Sequence, residues 1–221
     1  MRKTKFATGE FYHIYNRGVD KRNIFEDPED FWRFLESMKE FNREDAIGSL
    51  YALNNDKEKF RGSASKNKKL VNFVAYCLNQ NHYHFILEPL VEGGIQKFMH
   101  KLSTGYTMYF NDKNKRAGSL FQGRYKSIHI DSNEYLLHLS VYVNLNDKVH
   151  KNLNKPWMAK LPFSSFAEFI GERKEKIICQ QGIVLDQFSS RAKYKIYAED
   201  VLPDILRRKK EEKDLKIYLF E

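Results

Sequence analysis

The chain has 221 residues, 42% hydrophobic and 14% aromatic, with 17 Phe and 13 Tyr. That is enough for one packed domain plus a short appendage, and it argues against global disorder. Lys and Arg outnumber Asp and Glu by 38 to 29, a net charge of +9, so a polyanion is the expected partner and nucleic acid comes first, although a basic surface alone also serves solubility. No stretch approaches the roughly 18 apolar residues of a membrane span. No apolar signal region follows the basic start Met1–Phe6, and two cysteines, Cys77 and Cys179, are too few for a disulfide framework or a Cys-rich zinc site. A cytoplasmic chain with no membrane partner is expected.

In chain order, Phe11–Tyr15 reads as a strand closed by Asn16-Arg17-Gly18. Asp27 as cap, Pro28 at the first helical position and the acidic pair Glu29 and Asp30 start a helix, with Phe31, Trp32, Leu35 and Met38 at helical spacing, expected to run to the mid-forties. Residues 52–69 read as a polar, basic loop, and Arg61 to Lys69 could touch phosphates. Val71–Leu78 and His82–Glu88 read as a hairpin about Gln80-Asn81. After Gly93-Gly94, the stripe Ile95, Phe98, Met99, Leu102, Tyr106, Tyr109 marks a second amphipathic helix. Leu120–Ile130 reads as a fourth strand, and Asp131 with Glu134 as a capping box opening a third helix to about Val149.

The order β-α-β-β-α-β predicts an α+β, ferredoxin-like split βαβ domain, with an antiparallel sheet carrying helices on one face and leaving the other for a ligand. Pro156-Trp157 and Pro162 mark a change of character. The expected division is a domain over 1–155 and a mostly helical appendage over 156–221, ending in a charged helix near 198–215.

Chemistry concentrates in His82-Tyr83-His84. Residues two apart on a strand share a face, so both imidazoles project together, half of a divalent-metal site, while Tyr83 and Phe85 face the other way. By itself such a pair is more often two ordinary strand histidines. On the third helix His138, Tyr142 and Asn146 recur at spacings of four beside the apolar Leu136, Leu139 and Val143. Tyr142 is then either an ordinary boundary tyrosine or a nucleophile with a metal ligand nearby. A phenol suits strand transfer: a metal ion on the nonbridging oxygen of a phosphodiester helps its attack, and the phosphotyrosine conserves the bond energy for rejoining. The run Arg116 to Ser127 is basic, and Arg124 and Lys126, placed on one strand face, are candidates to clamp phosphates.

The ordered set Tyr12-His13-Ile14-Tyr15-Asn16-Arg17-Gly18, Asn81-His82-Tyr83-His84-Phe85-Ile86-Leu87-Glu88 and Leu120-Phe121-Gln122-Gly123-Arg124-Tyr125-Lys126-Ser127 resembles the single-tyrosine HUH transposases (His, hydrophobic, His). The branch it is most similar to is that of the REP-associated tyrosine transposases and their insertion-sequence relatives, over roughly residues 8–150. The resemblance implies a nuclease domain that cuts and rejoins single-stranded DNA near hairpins. It makes His82 and His84 ligands of Mg2+ or Mn2+, Asn146 a further metal-side ligand and Tyr142 the nucleophile, with a 5′-phosphotyrosine and a free 3′-OH as products. Arg17, Arg116, Arg124 and Lys126 are the expected DNA contacts. In some relatives the tyrosine helix serves a partner subunit, which leaves room for a homodimer. Two positions depart from the pattern: Asp147 stands where the family often has proline, and Asn144 where it commonly has His or Tyr. The competing readings are a non-catalytic DNA- or RNA-hairpin binder on the same sheet, and a zinc hydrolase, for which a His-Glu-x-x-His pattern is lacking.

Overall fold

The computed structural model describes residues 5–45, 50, 68–150, 156–173 and 177–218. Four strands, β1 (Phe11–Arg17), β2 (Val71–Asn79), β3 (His82–Pro89) and β4 (Lys126–Ile130), form one sheet in the order β2-β3-β1-β4, every pair antiparallel. With α1 (Pro28–Glu40) between β1 and β2 and α2 (Gly94–Lys113) between β3 and β4, this is the ferredoxin-like plan, α+β as expected.

Alternation along the strands sorts the two faces. Tyr12, Ile14, Phe73, Tyr76, Leu78, Tyr83, Phe85 and Leu87 point to one side and share a core with α1 and α2. His13, Tyr15, His82 and His84 are therefore left to the opposite side.

Asp27 caps α1, its carboxylate accepting from the Asp30 N–H at 3.0 Å, while Lys113 reaches both Asp27 and Asp30. The helix stops at Glu40, short of the mid-forties, because Asn42 turns to the sheet. Its side chain accepts from the N–H groups of Leu70 and Val71 and donates to the Val71 carbonyl. Helix α2 begins at Gly94, where a Cβ would lie 2.2 Å from the Leu70 carbonyl oxygen, so only glycine fits. Of its expected stripe, Tyr109 alone is not fully buried, its hydroxyl donating to Asp30.

The fourth strand is shorter than Leu120–Ile130. Residues 120–125 leave the ladder through Gly123, whose φ is +68°, and bond instead to the chain just after β1 (Val19 N–H to Leu120 O, Gln122 N–H to Arg17 O). The third helix, α3 (Asn133–Asn144), is capped by Ser132 rather than Asp131. Ser132 Oγ accepts from the Tyr135 N–H at 3.2 Å, which places Glu134 one residue too early for a capping box. It ends at Asn144, and a short helix α4 (Asn146–His150) follows after Leu145. Asparagine is a poor helix former, and both Asn144 and Asn146 spend their amides on partners outside the helix.

The appendage contains α5 (Phe166–Phe169), α6 (Gly182–Leu185) and α7 (Arg191–Tyr218), which starts before the expected residue 198 and carries Pro203. With α3 it covers the β2 side of the second sheet face, where Val74, Ala75, Cys77 and Ile86 share a core with Leu136, Val143, Phe169, Val184 and Tyr194. The expectation that this face stays free thus holds only over its β1 side. Asn144 is the rivet: its amide oxygen accepts from Ser165 Oγ at 2.6 Å and its NH2 donates to Tyr194 Oη at 3.0 Å. Most of the basic loop at 52–69 lies outside the described residues, and among these no helix is long and apolar enough to cross a membrane.

Candidate active site

The register pairs Tyr15 with His84 and with Lys126, and Arg17 with His82. Three strands therefore bring two histidines, a tyrosine and two cations to one end of the sheet. A cavity of about 630 Å³ opens there, lined by Tyr15, Arg17, Lys21, His82, His84, Gln122, Lys126 and Tyr142. No carboxylate lines it among the described residues, so its field favours an anion. Arg17 is held by a bond to the Gln122 side chain.

Helix α3 lays Tyr142 over the histidines. Its ring is 5.5 Å from that of His84 and 6.1 Å from that of His13, edge-on to both. Tyr135, a second tyrosine on the same helix, is half-buried beside Asp131 and Tyr15 and is not part of the cavity wall. His138 feels the charges of Arg208 and Asp204 on α7 and is not part of the cavity wall. The stripe expected on one helix is thus split, and Asn146 comes to the site from the start of α4.

His82 is held on both ring nitrogens. Nδ1 lies 2.6 Å from Asn81 Oδ1, an acceptor, which places the proton on Nδ1. Nε2 then carries a lone pair. It lies 3.1 Å from the Asn79 NH2 and 3.1 Å from Asn146 Oδ1, and the same NH2 donates to Asn146 Oδ1 at 2.9 Å. Two electron-pair donors, an imidazole nitrogen and an amide oxygen, thus converge with one NH2 bridging them. The buried Asn79 Oδ1 and Asn146 Nδ2 have no hydrogen-bond partner among the described residues. Burial pushes the His82 pKa down to about 4; the Asn146 contact opposes the shift, and Lys209 and Arg17 add to it. The ring is therefore neutral at pH 7, as a ligand must be.

His84 meets a residue outside the expected set. Its Nδ1 is 2.8 Å from Nε2 of the buried His13, with the rings stacked 5.1 Å apart and Tyr15 stacked on both. Burial lowers the His13 pKa to about 4. A neutral His13 can accept from Nδ1–H of His84 and fix its tautomer, as outer partners of metal-bound histidines do. Alternation along β1 could have found it, since His13 falls on the face of Tyr15. Among the described residues no three His, Cys, Asp or Glu cluster as a metal site. The His82 nitrogen and the Asn146 amide oxygen converge, with the His84 ring 5.2 Å from that of His82, and these are the side chains here that could hold a divalent cation completed by water and phosphate oxygens.

The four expected DNA contacts separate. Arg17 and Lys126 line the histidine cavity, whereas Arg124 precedes β4 and lines a different one, so it does not share a strand face with Lys126. Arg116 bonds the Asn111 side chain at 2.8 Å and the Ser119 carbonyl at 3.2 Å, closing the loop after α2. Asp147 sits in the first turn of α4, its carboxyl pushed up by burial. An acid there favours a helix start, as proline would.

Residues 52–146 match the family model described as "Transposase IS200 like". Over these residues the chain is similar to the IS200-like transposases. The matched stretch contains the second and third of the three ordered motifs and supports the resemblance they carry to a transposase. A solved structure of a REP-associated tyrosine transposase bound to a REP hairpin superposes on this chain with a TM-score of 0.51 at 14% identity. The match covers 86% of this chain and 95% of that one, a likeness of fold. No curated protein matches the chain.

Proposed function

We propose that this protein cuts and rejoins single-stranded DNA beside a hairpin, with Tyr142 as the nucleophile. The observation that carries this reading is Tyr142 on the wall of a carboxylate-free, cationic cavity, 5.5 Å from a histidine of the same chain. A DNA hairpin is what the solved transposase of similar fold holds, and the family match supports the reaction class.

In the proposed step the Tyr142 oxygen attacks phosphorus, the phenol gives up its proton, and the bond from phosphorus to the 3′ oxygen breaks as that oxygen takes one. The products are a 5′-phosphotyrosine and a 3′-OH. In the reverse step a 3′-OH of another end attacks the phosphotyrosine and the phenol is restored. Arg17 and Lys126 hold phosphate oxygens beside the attacking ring. His82, His84 and Asn146 would hold Mg2+ or Mn2+, which when bound withdraws charge from the nonbridging oxygen. Tyr142 lies beside His84 of its own chain, the arrangement that supports cleavage in cis.

The test is incubation of the full chain with hairpin-bearing single strands and Mg2+, followed by peptide mapping of the covalent adduct. DNA on Tyr142, with Tyr142→Phe folded, still binding and free of adduct, is the expected result. An adduct on Tyr135, or one formed by Tyr142→Phe, overturns the assignment.

A further inference from the structure

The chain leaves β1 at Arg17 and turns back over the tip of the β2–β3 hairpin. Two non-glycine residues of that turn have left-handed backbone, Asp20 with a φ of 53° and Lys21 with a φ of 60°. An L side chain is crowded in that conformation, and such strain persists only where surrounding bonds hold it, most often at working sites. The bonds are present. The Gly18 N–H donates to the Asn81 carbonyl at 2.8 Å, and Asn81 Nδ2 donates to the Lys21 carbonyl at 3.2 Å. Lys21, which is exposed, and Asn81 both line the histidine cavity.

An asparagine side chain has one donating and one accepting end, whereas a backbone carbonyl only accepts. The Lys21 carbonyl therefore draws the NH2 of Asn81 toward itself and leaves Oδ1 facing His82 Nδ1, 2.6 Å away. Oδ1 cannot donate, so the imidazole proton sits on Nδ1 and the lone pair on Nε2, the atom beside Asn146 Oδ1. We infer that Asn81 is a positioning residue: the left-handed turn at Asp20 and Lys21 aims a carbonyl at it, and through it fixes the tautomer in which His82 can hold a cation. Lys21 then serves the site through two of its atoms. Its carbonyl acts on His82 by way of Asn81, and its ammonium joins Arg17 and Lys126 in meeting the phosphate of a bound strand. The second role rests on the strand-cleaving reading above; the first needs only a cation at His82.

The experiment uses the full chain. The ring nitrogens of His82 are read by 15N NMR without metal, and Mn2+ affinity by titration calorimetry. The wild-type chain should show a single tautomer, protonated on Nδ1. Asn81→Ala should give a mixture of the two tautomers and bind Mn2+ about 10- to 100-fold more weakly, with the fold intact. Asn81→Asp, whose carboxylate accepts from Nδ1–H in either orientation, should restore the single tautomer. Lys21→Gly keeps the carbonyl and suits left-handed backbone. It should leave tautomer and Mn2+ affinity unchanged, while in EDTA the slope of log affinity for single-stranded DNA against log salt falls by about 0.7. The inference falls if Asn81→Ala keeps a pure Nδ1–H ring or wild-type Mn2+ affinity, or if Asn81→Asp fails to restore the tautomer. An unchanged salt slope in Lys21→Gly overturns the phosphate contact. A wild-type chain that forms no DNA adduct, while the tautomer and Mn2+ results hold, sinks the strand-cleaving reading alone.

Discussion

His13 Nε2 and His84 Nδ1 lie 2.8 Å apart across the β1–β3 pair, a bond between residues 71 positions apart in sequence. It ties one proposed metal ligand to a buried, neutral neighbour. His13→Ala should therefore lower Mn2+ affinity, measured by titration calorimetry, by about 10- to 100-fold with the fold intact. His13→Gln, which keeps an acceptor, should recover part of it. Unchanged affinity in His13→Ala would leave the bond as packing only.

Lys126 and Arg17 line the histidine cavity, whereas Arg116 is spent on Asn111 and Ser119. Lys126→Ala and Arg17→Ala should each reduce the slope of log affinity against log salt by about 0.7 for a single strand. Arg116→Ala should leave the slope alone and lower the melting temperature instead. An equal change of slope in all three would show that Arg116 also meets phosphate.

Asn144 joins α3 to both Ser165 and Tyr194, entirely inside the protein. Asn144→Ala removes two buried hydrogen bonds, leaving Ser165 to the Tyr76 backbone and Tyr194 to Ser140, and should cost about 1–3 kcal/mol in urea unfolding. Cleavage should fall with it, because the helix that loses its anchor is the one carrying Tyr142.

Acid should destabilise the chain through His13 and His82. Burial is the main reason both pKa values are pushed down to about 4. The unfolded chain takes up protons as pH drops through about 6.5, while the folded chain resists until about 4. Stability is then complete above pH 6.5 and lost progressively toward pH 4, by up to about 1.4 kcal/mol per pH unit for each histidine. His13→Gln should flatten this dependence. An unaltered slope in that variant would remove His13 as a cause.

The strand pattern around His82 and His84 was legible because alternation with Tyr83 and Phe85 leaves one choice of face, and Asp27-Pro28 marked the start of α1 without help from distant residues. Capping was harder: Asp131 and Ser132 are both good caps, and only the path from β4 into α3 selects the serine. The end of α1 is set by Asn42 reaching Leu70 and Val71, a long-range bond that local spacing does not contain. Helical spacing groups Tyr142 with Asn146, and the structure brings both beside the strand histidines, but the break at Leu145 is not legible, since both flanking asparagines are held by tertiary partners. His13 was passed over because its partner His84 is a neighbour only across the sheet.

The apolar side of the sheet under α3 has consequences for handling the protein. Val74, Ala75, Cys77 and Ile86 are shielded jointly by α3 and by residues from Phe169 onward. A chain truncated at residue 155 would expose greasy strand surface beside the helix that carries Tyr142, and such surfaces promote self-association. Soluble fragments for crystallisation or editing applications should therefore retain the segment through at least Ile205, the last buried apolar residue of that shared layer.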